Sequence, residues 1–432
     1  MAPLRGVFTL TLHPDSLTGT LLSLEGIADA QIILNGPTGC KLYHAFLSER
    51  QYLRQSRPPQ AREFSCGQER IPCTGLDGKD YMNGAVLKNE EVLASVAGAH
   101  SGLLVIVNAP GAALIGDDLD RCITTSGLSH RCLAIETPPV SRPASEGFSD
   151  AAQKVLRYLS PQPCDRKPKK INLTGISLLQ KHWEGDVAEL KRLLSLMGIE
   201  VGATLVAGSS AEELRQSSDA FCNLVICSEY GLALSQWYRS EYDIPFILSP
   251  AGAPVGFDAT ERWIREIADS TGADPAPALL ESDKARERAY RLLRYTHLNY
   301  GYPKGATFAI AADSSVALPL TTWLYSYAGM VPLGVMTLPG GQPAHEDALK
   351  EFLVSHGFEE AWQLFPGPDC VDIVYSDGHT GGLLMGTGRC RSVVEISHPS
   401  EDTMMFVPRP IMGVSGAMNL LEETMRRLRP LS

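Results

Sequence analysis

The chain of 432 residues has room for two or three domains and a substantial core. Hydrophobic residues at 44% and charged residues at 20% exclude a disordered chain, and a formal net charge of -11 argues against sequence-independent binding to nucleic acid or an anionic membrane. The N-terminal run Met1–Asp15 has one basic residue and an apolar stretch cut by His13-Pro14, a poor signal peptide, and no stretch is apolar for long enough to span a membrane. A cytoplasmic protein without nucleic-acid or membrane partners is therefore expected. Its ten cysteines then read as ligands or core residues rather than disulfides.

In chain order, the first strand candidate is Ala30–Leu34, which breaks at Asn35-Gly36-Pro37 and leads to Cys40 at the start of a helical pattern over 41–54. A thiol there sits at the positive end of a helix, which favours thiolate; the alternative is a small apolar residue packed under a turn. Asn89–Ala99 and Ala113–Ser126 read as helices, and Gly102–Asn108 and Arg131–Glu136 as strands. Unbroken apolar strands alternating with helices predict parallel sheets covered on both faces.

Ser160–Lys170, proline-rich and charged, reads as a linker. The pattern restarts with strands at Ile171–Ile176, Ile199–Val206, Asn223–Cys227 and Pro245–Leu248. Helices are predicted at Asp186–Met197, from capping Ser210, before Tyr242 and across 257–299. A third restart gives strands at Ala306–Ala312, Val331–Leu338, Cys370–Tyr375 and Ser392–Ile396. Its helices are predicted near Ala317–Gly329, Glu346–His356 and Gly413–Leu428. The expected fold class is α/β, with mainly parallel sheets in three units: 1–165, 166–299 and 300–432. Ligands are expected at the carboxyl ends of strands.

No phosphate-binding G-x-x-x-x-G-K-[ST] loop, C-x-x-C pair or G-x-S-x-G elbow occurs. ATP hydrolysis, if needed, is expected from another protein. Cys40, Cys66 and Cys73 cluster near the first strand, and the last two lie in loop-like sequence. Such thiolates suit an iron–sulfur site; structural packing is the competing reading. Cys122 and Cys132, grouped as helical cysteines, would instead fill a core.

Gly36-Pro-Thr-Gly-Cys40, the run Cys73–Ala85 and Ile115-Gly-Asp-Asp-Leu119 resemble the N-terminal signatures of nitrogenase component 1. Ile396-Ser-His-Pro and Met412–Leu421 resemble that superfamily's ending, so the resemblance spans nearly the whole chain. It implies three Rossmann-like domains, pairing with a paralogous subunit as a heterodimer or heterotetramer, and an iron–sulfur cluster at the subunit interface. Electrons would come from a separate ATP-hydrolysing iron protein. The implied ligands of the interface cluster are Cys40 with Cys66 or Cys73 or both. The family's third cysteine falls on Pro110, which has no ligand atom.

Cys227, at a strand end, and His398 resemble the cysteine and histidine that anchor a second, catalytic metallocluster in nitrogenase α subunits. Core packing of Cys227 is the plainer alternative. The resemblance leads to a catalytic, α-like subunit of a nitrogenase-like reductase acting on a small, methylthio-containing substrate. A tetrapyrrole-reducing enzyme, a non-catalytic scaffold for cluster assembly and a metal-chelate-binding protein are the alternatives.

Overall fold

The computed structural model describes residues 14–41, 44, 47, 71–136, 142–367, 369–401 and 405–428. The chain forms two compact units. The first comprises 14–164 and 203–218; the second comprises 165–202 and the chain from 219 onward.

The first unit contains α1 (Ser16–Glu25), β1 (Ala30–Asn35), α2 (Gly78–Asn83), α3 (Val86–Ala99), β2 (Leu103–Asn108), α4 (Leu119–Thr125), β3 (Cys132–Ile135) and α5 (Ala144–Leu159). Its three strands run parallel in the order β1-β2-β3, with Ile33 opposite Ile106 and Ile106 opposite Ala134. All six residues of β2 are buried, as expected of a strand covered on both faces. Ile33, Leu93, Leu104, Leu119, Cys122 and Cys132 share one core, so the last two cysteines act as small apolar residues. The helix predicted over Ala113–Ser126 is divided: a single turn over Ala112–Leu114 is followed by Gly116 at φ +80°. Asp118 then caps α4 through the Arg121 N–H.

The second unit holds two parallel sheets. The first is built from β4 (Lys167–Thr174), α6 (Trp183–Leu196), β5 (Glu200–Thr204), β6 (Ala220–Val225), α8 (Ser228–Tyr242) and β7 (Phe246–Leu248), with strand order β5-β4-β6-β7. Between β5 and β6, α7 (Ala211–Arg215) belongs to the first unit; Ser210 and Glu213 form its capping box. Helices α9 (Gly256–Thr271) and α10 (Ala276–Tyr300) fill the stretch predicted to be mostly helical.

The second sheet follows with β8 (Thr307–Ala312), α11 (Ser314–Ser326), β9 (Val331–Thr337), α12 (Pro343–Ser355), β10 (Val371–Asp377), α13 (Gly378–Gly386), β11 (Cys390–Ser397) and α14 (Gly413–Leu428). Its order is β11-β10-β8-β9. Asp186 of α6 secures the approach to α14: its Oδ1 accepts the N–H groups of Ile411 at 2.7 Å and Met412 at 2.8 Å. Burial dominates those two bonds and pushes the Asp186 carboxyl up to about 7. Among the described residues, no helix is long and apolar enough to cross a membrane.

Candidate functional site

In the first unit, the carboxyl end of β1 brings two thiols together. The Leu34 N–H donates to Pro72 O at 2.9 Å and the Thr74 N–H to Leu34 O at 3.0 Å, so Cys73 bridges to Leu34 as a one-residue parallel strand. Beyond Asn35 the chain turns at Gly36, where a Cβ would stand 2.7 Å from the Ala109 side chain; only glycine lets the turn lie so close to the end of β2. The turn is pinned by side chains: Asn35 Nδ2 donates to Asn108 Oδ1 at 2.8 Å, and Thr74 Oγ1 donates to Asn35 Oδ1 at 2.8 Å.

Cys40 follows in a single 3₁₀ turn, Thr38–Lys41, and its N–H donates to Pro37 O at 3.0 Å. The Cys73 thiol donates to Gly36 O at 3.1 Å. Burial pushes the Cys40 thiol up, and the neighbouring Cys73 and Asp15 push it further. Burial and these neighbours thus oppose the thiolate expected there, and a bound cation would reverse that; the helix predicted over 41–54 lies mostly outside the described residues. Cys66 lies outside the described residues. Among the described residues, no group of three or more His, Cys, Asp or Glu side chains could hold a metal ion. Cys40 and Cys73 therefore fit part of a thiolate cluster site, with further ligands needed from elsewhere.

Tyr81 lies near Cys40. Burial and Cys40 both raise its phenol, and a Cβ on Gly111, beside Pro110, would meet its hydroxyl at 2.9 Å. Met82, Leu87 and Leu114 on the adjoining elements are exposed.

In the second unit, the ends of β4, β6, β8 and β11 converge. Cys227 ends the β6 segment and is the residue before α8. Gly175, at φ +88°, lets the end of β4 pack against it; a Cβ there would lie 2.3 Å from Cys227 O. The Cys227 side chain is 0% exposed, and its Sγ accepts from Gln180 Nε2 at 3.1 Å. Burial, then Glu229 and Asp313, raise this thiol well above its ordinary range, so it is a neutral thiol.

His398 is 5% exposed, and neither ring nitrogen has a partner. Burial, helped by Lys181 and His182, pushes its imidazole down to about 3. Its backbone N–H donates to Leu179 O at 2.8 Å, and Ser397 bridges to Gln180. Residues 179–180 therefore link the Cys227 and His398 segments. His398 fits a group that would satisfy its nitrogens. Cys227 does not fit a metallocluster as its side chain stands, because its sulfur is covered and engaged by Gln180.

Sequence reasoning missed Gln180, Glu229, Tyr230, Asp313 and His345. Cys227-Ser-Glu-Tyr and Asp313-Ser-Ser each place polar groups directly after an apolar strand, which is the signal that marks them. Gln180, Asp313, Ile396, Ser397 and Met412 line a cavity of about 30 Å³, room for ordered water.

Residues 16–429 match the model of the family described as nitrogenase component 1 type oxidoreductase. The chain is 26% identical over 274 residues to a light-independent protochlorophyllide reductase subunit of Chloroflexus aggregans, covering 61% of this chain and 49% of the relative. It is 24% identical over 205 residues to the same reductase subunit of Roseiflexus sp., covering 46% of this chain and 35% of the relative. The corresponding Synechococcus sp. protein is 28% identical over 249 residues, covering 54% and 46%. The chain thus spans half or less of the length of these curated relatives. The fold matches a chain of the solved structure "Nitrogenase Cp1 at pH 6.5" with a TM-score of 0.77 at 17% identity, covering 97% of this chain and 93% of that one.

Proposed function

The chain belongs to the nitrogenase component 1 type oxidoreductase family, and from that premise we propose that it is a subunit of an iron–sulfur reductase that works with a paralogous subunit and an ATP-hydrolysing iron protein. The observation that carries this reading is the juxtaposition of Cys40 and Cys73 at the carboxyl end of β1. When bound there, a cluster supplies one-electron transfer at low potential. The two thiols lose their protons as they bind metal, and Asn35, Asn108 and Thr74 hold the turn that presents them. Cys66 and the partner subunit are the proposed sources of the remaining ligands. The exposed Met82, Leu87 and Leu114 support a subunit contact on this side.

For the substrate we favour a tetrapyrrole. The curated relatives are protochlorophyllide reductase subunits, and the engaged Cys227 sulfur does not favour a second metallocluster. The expected methylthio-containing substrate has no support among these relatives. His398, with two unpartnered nitrogens, is the residue proposed to meet the ligand.

The test is anaerobic purification with the partner subunit, followed by iron and sulfide analysis and electron paramagnetic resonance. Cys40→Ala and Cys73→Ala should each lose the cluster signal. Unchanged iron content and spectrum in both variants would overturn the assignment.

A further inference from the structure

Two carboxyl groups and a phenol meet where β6 and β8 end. Glu229 lies in the first turn of α8, and Asp313 immediately precedes α11. Glu229 Oε1 accepts the Ser314 hydroxyl at 2.5 Å and the Ser315 N–H at 3.0 Å; Oε2 accepts the Ser315 hydroxyl at 2.5 Å. Ser228 Oγ is also 3.3 Å from Oε2, but its proton is spoken for. His345 Nε2 faces Ser249 O at 3.2 Å, and a carbonyl only accepts, so that nitrogen carries the proton. His345 Nδ1 must then accept from Ser228 Oγ, 3.2 Å away. Three donors remain on Glu229, all at the positive end of α11, and they suit an ionised carboxylate.

Asp313 stands beside that fixed charge. Its side chain does not cap α11; it accepts the Tyr230 hydroxyl and borders the cavity shared with Gln180 and Ser397.

We propose that Asp313 holds a transferable proton for the reduction, with Tyr230 as its hydrogen-bond partner and Glu229 as the charge that keeps the proton in place. This rests on the reductase reading above. The titratable groups facing Asp313 are Glu229 and Tyr230 from α8 and Cys227 from the end of β6. Burial, then Glu229, hold its carboxyl well above the usual range, against the opposing Tyr230 bond. Electrons enter a substrate double bond from the low-potential iron–sulfur chain. Two C–H bonds form: the Asp313 O–H bond breaks and its proton forms one of them, a water proton forms the other, and the resulting carboxylate keeps the Tyr230 hydrogen bond. Water in the adjoining cavity returns the proton.

Infrared spectra of the purified complex should show a neutral carboxylic acid C=O band at pH 7 that shifts in D₂O and is lost in Asp313→Asn. With protochlorophyllide as the probe, that variant should lose about 100-fold or more in kcat with little change in KM. Tyr230→Phe, which keeps the ring, should lower kcat less and alter its pH profile. Glu229→Gln removes a negative neighbour, so the alkaline limb of kcat should move to lower pH. An unchanged band in Asp313→Asn, or full turnover without it, overturns this proposal and leaves the reductase reading standing. A wild-type complex that shows the band but neither binds nor reduces the probe overturns the tetrapyrrole reading, and the donor role with it.

Discussion

Replacing Asp186 with asparagine isolates the effect of one buried charge. In the folded chain this carboxyl titrates at about 7, against an ordinary 3.8. Between those values the folded chain keeps a proton that the unfolded chain has released. The stability this group contributes is therefore complete at the acid end of the window and is lost as pH rises towards 7. At 1.36 kcal/mol per pH unit, a shift of about three units amounts to about 4 kcal/mol. Asparagine retains an oxygen for the Ile411 and Met412 N–H groups and carries no charge. Its NH₂ takes the place of Oδ2, which is already buried without a partner, so the variant lacks the pH slope. Relative to wild type, Asp186→Asn should gain about 3 kcal/mol between pH 5 and 7, or about 5–10 °C in Tm for a unit of this size. Thermal unfolding followed by circular dichroism at several pH values measures this. Parallel Tm curves for the two proteins would refute the reasoning.

His398→Leu removes two buried nitrogens that have no partner, so the ligand-free chain should gain about 1–3 kcal/mol in urea unfolding while affinity for an added tetrapyrrole falls. A loss of stability would mean that the imidazole has partners in solution. Lys181 and Glu395 form a buried pair at 2.6 Å, with side chains 8% and 3% exposed. Lys181→Met should cost about 3–5 kcal/mol, and adding Glu395→Leu should restore most of it, as measured by a double-mutant cycle.

The apolar runs disclosed the sheets because β2 and its counterparts are covered on both faces, leaving no alternation to misread. The stretch Ser160–Lys170 was harder. Its last four residues enter β4, where Pro168 falls within a shift of register and the Lys167 and Lys170 ammonium groups both reach Asp219, at 2.7 and 2.8 Å. Charge that reads locally as linker is neutralised by a residue far along the chain. The same holds for the candidate site. Cys40 and Cys73 were legible, since glycine and cysteine types announce a turn with thiols. The acidity of Cys40 was not, because it depends first on burial and then on Cys73 and Asp15 lying nearby. Cys132, grouped with the helical cysteines, opens β3 instead. Gln180 carries no motif, and only the tertiary fold brings its amide to Cys227.

Glu229 projects from α8, behind one sheet of the second unit, and is gripped by Ser314 and Ser315 at the head of α11, behind the other. It works mechanically as a latch. Drawing the two sheets apart at this end would break three hydrogen bonds to Glu229, each worth about 1.5–3 kcal/mol where the acceptor is charged, which keeps the sprung form below about one molecule in a hundred. The two sheets therefore travel as one piece.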